Sequence, residues 1–378
     1  RWAADGQSLY LVGEARGATN VVQLTLDGTL SDVTTGQHHL VGFSVDRAGN
    51  TFALALADTQ QPGDIFVHWV DSGDTTRLTD INHDILAEVR LSTPEEFTFT
   101  GAKGWEIEGW IMRPHDFDPG TDYPLILEIH GGPETAYGYT FVLEFQLLAA
   151  QGYIVVYSNP RGSTGYGREF TQAVRGIWGQ DDYADMMAAV DAVIARGSVD
   201  TERLGVTGGS YGGIMTNWIV GHTDRFKAAV TQRSISNLAS FFGTSDVGPW
   251  YSINHWDGAP WQTPERHAFH SPLTYVEKIN TPLLIIHSEQ DWRCPISEAE
   301  QLFAALKWLR RDTEFLRFEG SDHDLSRNGH PRLRIDRLNA IQEWFTRYIP
   351  TGTATNAHAG TANGVGDLAE MEPVSSHI

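Results

Sequence analysis

Cysteine is all but missing from this chain of 378 residues, with Cys294 standing alone. That excludes an internal disulfide and any multi-cysteine metal site, and it fits a reducing compartment. Lysine is confined to Lys103, Lys227, Lys278 and Lys307, so arginine carries the remaining positive charge. At a formal net charge of −21 the chain lacks the basic face that nucleic acid or an anionic membrane needs in a partner. An acidic, lysine-poor surface suits a salt-adapted organism, although a GC-rich genome would give the same arginine bias. No apolar run approaches the roughly 18 residues that span a bilayer, and no basic-then-apolar leader opens the chain. The cytoplasm is the expected location. The opening at Arg1-Trp2 without methionine carries the further expectation that the true start, with any removed signal, lies upstream. Histidines in an H-E-x-x-H arrangement are also lacking. His267 and His270 are spaced like ligands but have no third in view, so they read as part of a polar loop, and neither metal nor other cofactor is expected.

Hydrophobic residues at 41% and charged residues at 20% are ordinary for a globular protein, and the length allows one large domain and a smaller piece. Residues 1–88 read as short strands, among them Ser8 to Val12, Val21 to Leu26, Thr51 to Leu56 and Asp64 to Val70. They are punctuated by Asp5-Gly6, Asp27-Gly28 and Ala48-Gly49-Asn50. Trp2-Ala-Ala-Asp-Gly6 before one strand resembles Phe43-Ser-Val-Asp-Arg-Ala-Gly49 before another, a spacing near the roughly 40–45 residues of a four-stranded propeller blade. About two such units would leave open sheet edges, so this stretch reads as the end of a longer array. Residues 89–350 alternate apolar strands (Tyr123 to Ile129, Tyr153 to Tyr157, Leu204 to Thr207, Ala228 to Thr231, Pro282 to His287, Glu314 to Phe318) with helical periodicity. That is the signature of a mostly parallel, doubly wound α/β sheet. Asp182 to Ala195, Ile296 to Leu309 and Arg332 to Ile349 are the clearest helices. Residues 351–378 read as a disordered tail.

Within the second unit, Gly208-Gly-Ser210-Tyr-Gly212 lies between a strand and a helix. This is the strand-turn-helix of a nucleophile elbow, with glycine needed on both sides because side chains there would collide with neighbouring elements. The α/β-hydrolase fold is thereby expected, with Ser210 as nucleophile. Its chain order is serine, acid, histidine. Two downstream strands end in Ser288-Glu289-Gln290-Asp291 and in Glu319-Gly-Ser-Asp-His323, and strand ends of a parallel sheet share one edge. Spacing alone does not choose between Asp291 and Glu289, or between His323 and His330, although His330 beside Pro331 reads as a helix-start residue. An oxyanion needs two amides: Tyr211 follows the nucleophile, and Gly131 in Ile129-His-Gly-Gly-Pro133 is the expected second donor.

These residues resemble the prolyl oligopeptidase family of serine peptidases, in its acylaminoacyl-peptidase and dipeptidyl-aminopeptidase-like branch. The likeness rests on His130-Gly-Gly-Pro133, Asn159-Pro-Arg-Gly-Ser-Thr-Gly-Tyr-Gly167, Gly208-Gly-Ser-Tyr-Gly-Gly213, Gly243-Thr-Ser-Asp246, Asp291-Trp-Arg-Cys-Pro295 and His323-Asp-Leu-Ser-Arg327. The resemblance implies a triad of Ser210, Asp291 and His323. It also implies that Arg293 grips a substrate carbonyl, against a plain structural ion pair, and that the first unit is the end of a β-propeller admitting short peptides. Cys294, close to Asp291, would make thiol reagents inactivators. Two rival readings use the same residues: an esterase, and a non-catalytic binding module. Homo-oligomer formation is left open by the sequence.

Overall fold

Turn residues between short alternating strands do their expected work in the computed structural model, which describes residues 1–352. Almost all of the stretch read as a disordered tail, from residue 353 on, lies outside the described residues. Strands β1 (Ser8–Ala15), β2 (Ala18–Thr25) and β3 (Leu30–Asp32) form one antiparallel meander. Strands β4 (His39–Val45), β5 (Thr51–Ala57), β6 (Asp64–Trp69) and β7 (Thr75–Arg77) form a second. The internal likeness has a structural counterpart. Trp2 bridges to Leu9 ahead of β1, as β4 pairs with β5 through Val45 and Phe52. Tyr10, Val21, Leu40, Phe52 and Leu54 close a small core shared by the two sheets.

The remaining strands are β8 (Glu95–Thr100), β9 (Glu106–Met112), β10 (Tyr123–Ile129), β11 (Ile154–Asn159), β12 (Val199–Gly209), β13 (Ala228–Gln232), β14 (Leu283–Ser288) and β15 (Thr313–Phe318). They make one eight-stranded sheet in the order β8-β9-β11-β10-β12-β13-β14-β15. From β11 to β15 every neighbouring pair is parallel, while β8 and β9 join antiparallel at one edge. Parallel strands must be covered on both faces, and every residue of β14 is buried. On one face Leu125, Leu127 and Val206 pack against Met186, Val190 and Ile214 of the helices Asp181–Ile194 and Tyr211–Val220. On the other, Ile126, Val155, Val230 and Ile286 meet Phe145, Ile341 and Phe345 from the helices Leu143–Ala150 and Pro331–Tyr348. This is the α/β-hydrolase fold. Among the described residues no helix is long and apolar enough to cross a membrane.

One expectation is corrected here. His267 and His270 are not in a polar loop but on the helix Pro264–His270, and both are buried. Pro264 supplies the preset φ of a helix start. The His270 ring lies 4.6 Å from that of Trp256, with Nδ1 2.8 Å from the carbonyl oxygen of Trp178.

Candidate active site

β12 enters the helix Tyr211–Val220 through Ser210, whose φ of 61° and ψ of −119° lie where a residue with a Cβ is strained by roughly 1–3 kcal/mol. The neighbours explain why the turn holds. A Cβ on Gly208 would lie 2.6 Å from the carbonyl oxygen of Ile129, and one on Gly212 would collide with that same oxygen. Both elbow glycines therefore let the turn press against the end of β10. Ser210 N donates to the carbonyl of Gln232 at 3.0 Å, tying the elbow to β13 as well.

At the end of β14 the chain turns so that Asp291 Oδ1 accepts from the amides of Arg293 at 3.0 Å and Cys294 at 2.8 Å. Its other oxygen, Oδ2, lies 2.8 Å from Nδ1 of His323. An ionised carboxylate only accepts, so Nδ1 carries the imidazole proton and Nε2 keeps its lone pair. Burial pulls the His323 pKa below the ordinary histidine value; Asp291 opposes this, and the cations Arg233 and Arg327 add to the depression. Ser210 Oγ makes no hydrogen bond to His323. Its polar neighbour is Cys294 Sγ at 4.0 Å. Nucleophile–base bonds commonly close only in the substrate complex.

Cys294 touches more of the site than its sequence position suggested. Its amide holds Asp291, its sulfur faces Ser210, and its carbonyl accepts from Nε2 of the buried His287 at 2.6 Å. Burial and then the Asp291 charge hold this thiol well above the usual cysteine range. A buried, protonated thiol is a poor nucleophile, which removes the physical basis for inactivation by thiol reagents. The two alternatives left by spacing have other duties. Glu289 pairs with Arg317 at 3.0 Å, and His330 accepts from Arg332 N at 3.3 Å at the start of the helix Pro331–Tyr348.

Past β10, Thr135 Oγ1 donates to the carbonyl of Gly131 at 2.7 Å. In a planar trans peptide this turns the amide of Gly132 the opposite way. The amides of Gly131, Gly132 and Tyr211 donate to nothing among the described residues, so the loop offers two donors beside the one from Tyr211. The hydroxyl of Tyr211 is anchored 2.5 Å from Asp182 Oδ2, and burial raises the pKa of that carboxyl to about 6. Arg293 is in an ion pair, with Nε and Nη2 at 2.8 and 3.2 Å from the two oxygens of Asp246. Its Nη1 has no partner among the described residues. Pairing and substrate contact are thus compatible: one edge of the guanidinium is held and the other is open. The roles of Asp246 and His287 were not read from sequence, since neither contact follows from spacing. Together these groups supply a strained hydroxyl, a neutral imidazole fixed by a carboxylate, and unpaired amides, a set suited to acyl transfer.

A family model described as the prolyl oligopeptidase family matches residues 139–351. Peptidase YuxL of Bacillus subtilis, itself described as uncharacterized, is 45% identical over 349 residues, covering 92% of this chain and 53% of that protein. Dipeptidyl-peptidase 5 of Porphyromonas gingivalis is 31% identical over 334 residues, covering 85% of this chain and 48% of its own. Among solved structures, an acylaminoacyl peptidase of Pyrococcus horikoshii superposes with a TM-score of 0.85 at 32% identity, over 91% of this chain and 54% of that one. The chain spans about half the length of the curated relatives it matches.

Proposed function

This chain belongs to the prolyl oligopeptidase family, and from that premise we propose that its protein is a serine peptidase acting on short peptides through an acyl-enzyme. The observation that carries the proposal is the 2.8 Å contact between Asp291 and His323 Nδ1, next to the strained Ser210. In this reading His323 Nε2 takes the Ser210 proton and the oxygen attacks the peptide carbonyl. The oxyanion is received by Tyr211 and by the loop amides of Gly131 and its neighbour. The imidazolium then protonates the leaving amine, and water repeats the cycle on the acyl-enzyme. Asp291 fixes the tautomer and stabilises the imidazolium. Arg293, steadied by Asp246, donates from its open edge to a substrate carbonyl, where its charge persists at any working pH. The two N-terminal meanders, residues 1–88, are proposed as the last blades of a β-propeller ahead of a peptidase domain over 89–350. The repeat and its paired sheets support that reading.

Full-length protein should hydrolyse acyl-peptide or aminoacyl-peptide anilides, and turnover of p-nitrophenyl esters alone would instead make it an esterase. The pH profile gives a second measurement. With the His323 pKa depressed, the neutral base persists to lower pH, so kcat/KM should rise with pH through a midpoint below the ordinary histidine value of roughly 6.5. A flat profile or a midpoint above that value would count against His323 as the base.

A further inference from the structure

Immediately past β13 the backbone turns at Arg233 with a φ of 39°. The side chain crosses over Gly209, where an added Cβ would lie 2.7 Å from the guanidinium carbon. The guanidinium therefore fills the space that a side chain next to the nucleophile would otherwise take. Nη1 donates to Ser326 Oγ at 2.9 Å, on the short helix Leu325–Asn328 just beyond His323. Nε is buried without a partner, and Nη2 has none among the described residues. The charge acts on both His323 and Cys294.

No carboxylate among the described residues is in ion-pair contact with Arg233, although Glu144 and the buried Glu128 act on it from a distance. The cations in electrostatic range of it, Arg327 and Arg337, are each matched, to Asp324 and to Glu144. A half-buried cation with no counter-ion in contact is costly. In a chain with 48 acidic residues, carboxylates were available to pair it. The position also has a chemical sense. His323 hands its proton to the leaving amine, so a cation on the His323 side of Ser210 faces the leaving-group half of the substrate.

Resting on the serine-peptidase reading, we infer that Arg233 binds a carboxylate carried by the leaving-group half of the substrate, either the free C-terminus of a short peptide or an acidic side chain close behind the scissile bond. Guanidinium–carboxylate bonds are charge-assisted and directional, and Nη2 is the donor left unused. Where the carboxylate is the C-terminus, such a contact selects for short peptides by chemistry, independently of any steric filter.

Three matched peptides assayed on the full-length protein test this: one with a free C-terminal acid, its carboxamide, and a carboxamide with aspartate as the leaving residue. A charge-assisted hydrogen bond predicts that one or both carboxylate-bearing peptides exceed the neutral amide about tenfold in kcat/KM. Whichever peptide gains identifies the source of the carboxylate. Arg233→Gln should bring the ratio close to unity, and Arg233→Lys should retain part of it. A wild-type ratio of unity for both carboxylate peptides would overturn the inference. So would an Arg233→Gln variant that loses activity equally on all three, since that marks a role confined to holding Ser326. If none of the three is cleaved while a fluorophosphonate still labels Ser210, the peptidase reading fails first and takes this one with it.

Discussion

Ser210→Ala should abolish peptide hydrolysis, with kcat falling by about 10⁶ as in other serine peptidases stripped of the nucleophile, and should end fluorophosphonate labelling. The expected selectivity of this loss makes it informative. The hydroxyl's polar neighbour is a thiol 4.0 Å away, so its removal leaves no strong hydrogen bond broken. Alanine also has a Cβ, so the strained φ of 61° is neither relieved nor worsened. Stability should therefore stay within about 1 kcal/mol of wild type, in the range of substitutions that open no cavity. A variant that retains activity or labelling, measured on protein with an unchanged thermal midpoint, would exclude Ser210 as the nucleophile.

Asp291→Asn should cost about 10⁴ in kcat, by way of the tautomer. Two amides, from Arg293 and Cys294, point at Oδ1, and only an oxygen can receive them. Asparagine must therefore keep its oxygen there and turn its NH2 toward His323 Nδ1. That nitrogen would then have to accept, the proton would move to Nε2, and the atom facing Ser210 would lose its lone pair. Rates measured across the pH range should show the deficit at every pH above the His323 pKa. Near-wild-type kcat would mean that the carboxylate only fills space.

Much of the site was legible because its chemistry sits at strand ends. Ser210, Asp291 and His323 follow β12, β14 and β15, all parallel and running toward one edge, so apolar runs and what came after them pointed to Ser210 and narrowed its partners to Asp291 or Glu289 and His323 or His330, and the family resemblance chose between these. The same rule applied to β13 would have singled out Arg233, an arginine directly after Ala228-Ala-Val-Thr-Gln232. It went unread because arginine there looks like an ordinary strand-end charge until its lack of a partner is seen. Asp246 and His287 were illegible for a different reason. Asp246 reaches Arg293 only through the fold, and His287 lies inside a strand that reads as uniform apolar core. The antiparallel edge strands β8 and β9 escaped as well. Glu95-Glu-Phe-Thr-Phe-Thr100 shows only a short polar alternation, with Phe97 its one fully buried residue. His267 and His270 were misread because polar residue types were taken as exposed, whereas aromatic neighbours enclose them.

The turn between β1 and β2 reaches further than its place in a separate small sheet implies. Tyr139 N donates to the carbonyl of Gly17 at 3.0 Å, and Arg16 N to that of Gly165 at 3.2 Å. Gly138 lies so close to Gly17 that no Cβ would fit between them. Thr164, beside Gly165, donates to Thr135 at 3.1 Å, and Thr135 holds the Gly131 carbonyl. The hairpin tip is thus a strut whose far end bears on the peptide that aims the loop amides. Linkage between two ends of one strut is reciprocal. On the proposed mechanism, whatever steadies the hairpin stiffens the oxyanion loop and whatever fills that loop clamps the hairpin, so substitutions at the hairpin tip should register in kcat as well as in binding.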